Sequence, residues 1–289
     1  MSSALHDSAS SGTSMRKLGD RGIANTIGKK VTPILGRLVN GVRITRGVQL
    51  MTSYLDLLVG KGSGTGWDKG EEAAAANVLR KRGVTEPVVI DCGGNRGEWT
   101  REVRRRLGSD RGRWIIIEPA KECTKLLRQI PEVEIIEAAV GKSSGIMELW
   151  SDGSASGLAS MHERGDSFVQ GQRFIPREVP VLTLDSVIET RGLERVDFLK
   201  MDIEGHELFA LRGARKVLEA RKIKALAFEF GAGNVNSRTY FRDFWNLLTP
   251  LGFELRRICP GGSTVGVREY YEDLEFFRGV SNYIAILKE

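Results

Sequence analysis

Apolar residues from position 71 onward fall into short runs rich in Val and Ile. Longer segments separate them, in which apolar residues recur every three or four positions. The first pattern belongs to buried strands, the second to helices with one apolar face. Strands are predicted over 88–91, 114–118, 133–138, 196–202 and 225–230, and helices over 71–82, 98–107, 121–129, 207–220 and 240–249. Segments 253–258 and 283–287 follow without a strong helix between them and predict an antiparallel pair. Such alternation predicts an α/β fold: a Rossmann-like, mostly parallel sheet covered on both faces, with ligands at the carboxyl ends of its strands. The rhythm fails between 140 and 184. There, strand-like residues 147–150 and 179–183 flank a Ser- and Gly-rich stretch, so 151–178 are expected to form a lid-like insertion near the ligand edge.

Ahead of this pattern the chain is different. Residues 1–15 are rich in Ser, Ala and Gly and are expected to be a disordered tail, because they hold too little apolar surface to offset ordering entropy. Over 16–66 we expect a basic amphipathic helical extension and linker. Ile34, Leu35, Leu38, Val42, Met51, Leu55 and Leu58 recur at helical spacing among Arg37, Arg43 and Arg46, and Lys61-Gly-Ser-Gly-Thr-Gly66 reads as a flexible joint. This helix could contact a membrane surface, grip a partner subunit, or pack as a hat on the domain expected from 67 to 289. Charge follows the same division. The net charge is +6, and residues 1–60 carry eight Lys/Arg against three Asp, or +5. The basic bias therefore belongs to the arm, and a nucleic-acid partner for the main domain is not expected.

Cys92, Cys123 and Cys259 show no pairing logic and are expected to be reduced thiols of a cytoplasmic protein. No apolar run approaches the ~20 residues of a transmembrane segment. His6, His162 and His206 lack zinc-ligand spacing.

The chemistry concentrates where strands end. Val-Val-Ile-Asp-Cys-Gly-Gly-Asn-Arg-Gly, residues 88–97, reads as a buried strand stopping at Asp91, then a glycine turn through Gly93, Gly94 and Gly97 that opens a helix. A dinucleotide fingerprint would need glycine where Asn95 and Glu98 stand, and Gly141-Lys142-Ser143 lacks the earlier P-loop glycine because position 136 is Ile. Glu118, ending the next strand, could accept both hydroxyls of a ribose, since two vicinal donors need two acceptor oxygens. It could equally serve as an acid at the start of the following helix, before Pro119. Asp91 is expected to order the turn, and Glu137 and Ala138, ending the third strand, to border an adenine.

A second constellation is Lys200-Met-Asp202-Ile-Glu204-Gly205-His206-Glu207. In an extended segment alternate residues share a side, so Asp202, Glu204 and His206 are expected to converge, with Glu229 at the end of the next strand joining them. Two carboxylates and an imidazole suit deprotonation of an alcohol. Asp202, Glu204 and Glu229 could instead hold a hard divalent ion such as magnesium, or the acids could merely cap the next helix.

Several stretches in order along the chain resemble the FkbM family of S-adenosylmethionine-dependent methyltransferases. They are Val-Ile-Asp-x-Gly-x-Asn-x-Gly-x-x-Thr at 89–100, Ile-Glu-Pro at 117–119, Glu-Ala-Ala-Val-Gly at 137–141, Leu-Thr-Leu-Asp-Ser at 182–186 and Phe-Leu-Lys-Met-Asp-Ile-Glu-Gly-His-Glu at 198–207. The similarity runs from about Glu71 to Leu287. It implies a seven-stranded methyltransferase fold, S-adenosyl-L-methionine as cofactor, and methylation of oxygen on a small-molecule or glycan acceptor such as a sugar or polyketide. Carried over position by position, it places Asp91, Gly93, Asn95, Gly97, Glu118 and Asp202 at the cofactor or active site, with Glu71, Thr100 and Pro119 beside them. Cys92, Gly94 and His206 depart from the residues more usual at their positions, which leaves acceptor and base open. A nucleotide-dependent oxidoreductase, disfavoured by the failed dinucleotide pattern, is the alternative reading. A nucleic-acid methyltransferase using the basic arm is another, disfavoured by the lack of an Asp/Asn-Pro-Pro-aromatic or Pro-Cys motif.

Overall fold

The computed structural model describes residue 36 and residues 42–64, 69–165 and 170–288; the tail expected over 1–15 lies outside them. Two compact units divide the chain, Met1–Thr52 and Ser53–Glu289. A helix, α1 (Val42–Leu58), runs across the boundary.

Among the described residues, the larger unit is organised by an eight-stranded sheet. Its members are β1 (Val88–Cys92), β2 (Arg113–Ile117), β3 (Val133–Ile136), β7 (Phe198–Met201), β8 (Ala225–Gly231), β9 (Phe253–Ile258), β10 (Thr264–Gly266) and β11 (Val280–Leu287). Their order is β10-β9-β11-β8-β7-β1-β2-β3. From β3 to β8 all pairings are parallel, whereas β11 runs antiparallel to both β8 and β9, the terminal pair expected from the sequence. The chain steps outward from β1 to β3, then returns to β7 on the other side of β1. The carboxyl ends of β1 and β7 therefore form a topological switch point, where open α/β sheets bind ligands.

Alternating side chains bury both faces of this sheet. Ile90, Ile115, Leu199 and Leu226 pack with Leu184 and Val187 of α5 (Leu184–Thr190), Leu208 and Leu211 of α6 (Glu207–Arg212), and Phe241 and Phe244 of α9 (Phe241–Leu248). Val89, Trp114, Phe198 and Ala227 meet the alanine-rich α2 (Gly70–Lys81) together with Trp99 and Val103 of α3 (Glu98–Leu107). Each fully buried large side chain contributes about 1.5–3 kcal/mol. Arg104 of α3 is buried despite its charge: its guanidinium lies 5.4 Å from the Trp114 ring centroid and donates to Pro131 O. The remaining short helices are α4 (Lys121–Leu127), α7 (Arg215–Glu219) and α8 (Ala232–Ser237). The helix expected over 207–220 is thus two helices, α6 and α7.

Other departures have local causes. The third strand ends at Ile136 rather than 138, because β4 (Ala139–Val140) leaves to pair with β6 (Ile175–Leu182) in a separate three-stranded sheet with β5 (Gly145–Ser151). Positions 175–178 of the expected insertion are therefore strand, and the irregular part is shorter. The joint expected over 61–66 is tied down in its described part: Gly62 N donates to Ser281 Oγ, Gly64 N to Val280 O, and Ser63 Oγ to Ile258 O. Nor does the hat reading hold for the second half of α1, where Leu55 and Leu58 are exposed while Ser53 and Asp56 bond Arg278.

Candidate active site

Past β1 the backbone must turn at once beneath the residues following β7. Gly93 has φ 77°, and a Cβ there would lie 1.9 Å from Asp202 O, so only glycine fits. Asn95, also left-handed, donates its N–H to Glu118 Oε2 at 2.9 Å; Glu118 Oε1 accepts Ala120 N at 2.9 Å. Pro119 has no N–H to offer, so the carboxylate reaches the next amide. Burial pushes the Glu118 carboxyl upward, opposed by the two amides. Each oxygen keeps one lone pair for a ligand.

Beside this turn, a cavity of about 230 Å³ is lined by Gly93, Asn95, Glu118, Pro119, Ala138 and Val140 on one side and by Asp202, Glu204, His206 and Glu229 on the other. A second hollow of about 380 Å³ shares Gly93, Asn95 and Asp202, and adds Glu71, Arg96, Trp99 and Lys200. Burial raises Glu71 to about 8, with Lys200 opposing.

Asp91, Gly97 and Thr100 stand behind the turn, outside both linings. Thr100 Oγ1 donates to Asp91 Oδ2 at 2.7 Å, and Asp91 Oδ1 lies 3.4 Å from Lys200 Nζ. Lys200 is 3% exposed, 3.3 Å from Asp202 Oδ2, and donates to Gly93 O. It thereby couples the ends of β1 and β7. The sequence reading missed Lys200, although a lysine inside an apolar strand is a usable signal, since lysine is almost never fully buried unpaired. Glu137 is not brought to the site: it lies outside the cavity lining and pairs with Arg128 at the surface, because β3 stops before it.

On the other side the expected geometry is corrected while the grouping holds. β7 ends at Met201, so alternation along a strand cannot align residues 202–206. They form a tight turn instead. Glu204 has φ 53° and Gly205 φ 94°, and a Cβ on Gly205 would meet Gly233 O at 2.3 Å. Glu207 Oε1 accepts the N–H groups of Ile203 and Gly205 and pins the turn from within. The insertion closes over it: Arg164 Nη1 bonds Glu204 Oε2 at 2.8 Å and Ser160 Oγ donates to Glu204 O. His206 Nδ1 sits 3.0 Å from His162 Nε2, and its ring stacks on Phe209. Burial, then the neighbouring His162, lowers His206 to about 4, and burial lowers His162. Both imidazoles are neutral near pH 7, one donating and the other accepting. Burial pushes Glu229 well above its ordinary value, aided by the negative neighbours Asp202, Glu204 and Glu207, and it is hydrogen-bonded to Asp202. Two hydrogen-bonded carboxyl groups thus stand side by side in the cavity wall. Arg164, Ser160 and His162 come from an irregular segment whose sequence spacing carries no signal for these contacts.

This donor set does not suit magnesium. Glu204 is engaged by a buried guanidinium, and among the described residues no group of three His, Cys, Asp or Glu is placed to hold a metal.

Residues 91–255 match the family model of the methyltransferase FkbM domain. That is more than half of the chain, which therefore belongs to the FkbM methyltransferase family. No curated protein matches the sequence. Solved structures with a similar fold include methyltransferase FkbM from Methylobacillus flagellatus KT, at 17% identity over 73% of this chain and 47% of that one, TM-score 0.44. This chain spans about half the length of that protein. Precorrin-6y C5,15-methyltransferase from Geobacter metallireducens GS-15 is 12% identical over 75% and 87% of the two chains, TM-score 0.37. Aeropyrum pernix fibrillarin, solved with natively bound S-adenosyl-L-methionine, is 13% identical over 74% and 76%, TM-score 0.36.

Proposed function

We propose that the protein transfers a methyl group from S-adenosylmethionine to a hydroxyl of a small-molecule or glycan acceptor. The observation that carries this reading is one cavity with two chemically distinct walls: Glu118, oriented by two amides, and the hydrogen-bonded pair Asp202–Glu229. Glu118 would take the ribose hydroxyls on its free lone pairs, with Pro119 and Ala138 beside the adenine. Glu71 and the amides of the glycine turn would face the amino-acid end in the second hollow. When bound, S-adenosylmethionine supplies an electrophilic methyl carbon on a cationic sulfonium.

The chain's own residues then have two tasks, positioning and proton removal. As the carbon–oxygen bond forms and the methyl carbon–sulfur bond breaks, leaving the neutral thioether S-adenosylhomocysteine, the acceptor hydroxyl would lose its proton to Asp202, which carries off the positive charge. Glu229, whose burial and negative neighbours favour its protonated form, would donate its hydrogen bond to Asp202 and orient it. Lys200 fixes the other carboxylate oxygen. His206 is a positioning residue: its Nδ1 is occupied by His162, and the pair anchors the insertion that shields the cavity from water.

Isothermal titration with S-adenosylmethionine and with NAD, followed by mass spectrometry of hydroxyl-bearing acceptors incubated with the enzyme, tests the reading. It requires S-adenosylmethionine binding and a methyl-group mass gain on oxygen; NAD binding alone, or methylation on nitrogen or carbon, would overturn it.

A further inference from the structure

We infer that Arg96 and the indole N–H of Trp99 bind the carboxylate of the cofactor's amino-acid end, and so select ligands that carry one. This role rests on the cofactor reading given above. The second hollow continues the cofactor cavity past Gly93, Asn95 and Asp202. α3, ten residues long, begins there, with Glu98 and Trp99 of its first turn in the lining. Its N-cap is Gly97, and no side chain caps its first-turn N–H groups. A helix N-terminus in that state carries partial positive charge and favours an anion. A second, independent donor stands beside it. Trp99 is 7% exposed, stacks on Phe198 at 5.8 Å between ring centroids, and has Lys200 Nζ 6.0 Å from its ring. Its indole N–H is buried with no acceptor among the described residues. An indole nitrogen can only donate, and a buried donor left unpaired is costly, so the position calls for an acceptor oxygen. Arg96 supplies the third donor group. Its Nε donates to Ala155 O of the insertion at 3.0 Å, and its Nη nitrogens make no bond among the described residues.

The acids of the hollow define the rest of the ligand. Glu71, Glu72, Glu98 and Asp202 share the lining with Arg96 and Lys200. A bare anion such as inorganic phosphate would gain the donors but also meet these carboxyl groups. A simple cation would leave the indole N–H unpaired. A zwitterion meets both demands. Its ammonium faces Glu71 and Asp202, while its carboxylate gives one oxygen to the indole N–H and the other to the guanidinium. An α-amino acid carries those two groups on one carbon, within the span of a single hollow. Ala155 and Ser156 bring the insertion to the same place. The Arg96 guanidinium therefore joins the carboxylate to the segment that covers the cavity.

Calorimetry of the full chain with two probes tests this. One is S-adenosylhomocysteine; the other is its decarboxylated analogue, which keeps the adenine, ribose, sulfur and ammonium and lacks only the carboxylate. The wild type should bind the first on the order of ten- to a hundredfold more tightly, the value of hydrogen bonds to a charged group. Trp99→Phe keeps an aromatic ring but removes the N–H, and Arg96→Gln removes the charge from an exposed side chain. Each should lower the affinity for S-adenosylhomocysteine roughly tenfold and leave that for the decarboxylated analogue unchanged. Arg96→Lys should recover part of the loss. If Trp99→Phe does not fold, the exposed Arg96 decides the matter alone. Equal affinity of the wild type for the two probes would overturn the proposal. So would variants that weaken both probes alike, the mark of a merely structural role. Binding of neither probe would instead overturn the cofactor reading, and this role with it.

Discussion

At Glu118 two backbone amides occupy one lone pair of each carboxylate oxygen and leave the others directed at the cavity. Glu118→Ala should therefore lower S-adenosylmethionine affinity roughly ten- to a hundredfold, the value of a hydrogen-bond pair to a charged group; calorimetry on the folded variant measures it. Glu71, raised to about 8 by burial, is protonated at pH 7. A cation bound beside it favours the ionised form, so binding should release a proton, seen as a buffer-dependent enthalpy that Glu71→Gln abolishes. Asp202→Asn should cut turnover by roughly 10²–10⁴, the range for positioned acid–base groups. Glu229→Gln, which keeps a donor toward Asp202, should cost much less, and equal losses would argue against Asp202 as the base. His206 has its folded pKa depressed to about 4 from 6.5. Between those values the unfolded chain binds the extra proton, so its contribution to stability is complete above pH 6.5 and lost as pH falls toward 4. Relative to wild type, His206→Gln should flatten the urea midpoint over that window.

The insertion after β5 is held to the turn before α6 by Arg164 and Ser160, and Arg164 is 3% exposed on its side chain. Arg164→Ala removes the guanidinium from Glu204 Oε2 and should cost roughly 1.5–3 kcal/mol, felt locally. Faster hydrogen exchange over 151–165 with little change in the sheet would show this, whereas uniform destabilisation would place Arg164 in the global core. The element scale also shows what the sequence could reveal. Five core strands and the helices α2, α3 and α9 were legible because hydrophobic period records burial directly. The cavity residues were legible because they lie at strand ends. Lost were the things period cannot record: the turn at Glu204–Gly205, forced by the close approach of Gly233; the diversion of Ala139–Val140 into a second sheet; and the pairing of His162 with His206 across unrelated segments. Glu137 was misplaced for the same reason, as its strand ends two residues earlier than its sequence pattern suggests.

For the molecule as a whole, the compact unit begins at Ser53. A chain starting there should keep the cooperative unfolding of the full protein. Removal through Gly64 strips four hydrogen bonds to β9 and β11, made by Val59, Gly62, Ser63 and Gly64. At about 1 kcal/mol each, they should lower the unfolding midpoint by several degrees. Equal midpoints for the two truncations would show that this segment rests on the sheet without stabilising it. The switch point between β1 and β7 remains the organising feature, since it gathers side chains from β1, β2, β7, β8 and the insertion at one edge. What fills that edge decides the protein's chemistry. A crystal structure with S-adenosylhomocysteine tests it most directly: both ribose hydroxyls should lie on Glu118, the adenine beside Pro119 and Ala138, and the sulfur facing the Asp202–Glu229 pair. A ligand bound elsewhere, or with its sulfur turned away from Asp202, would contradict it.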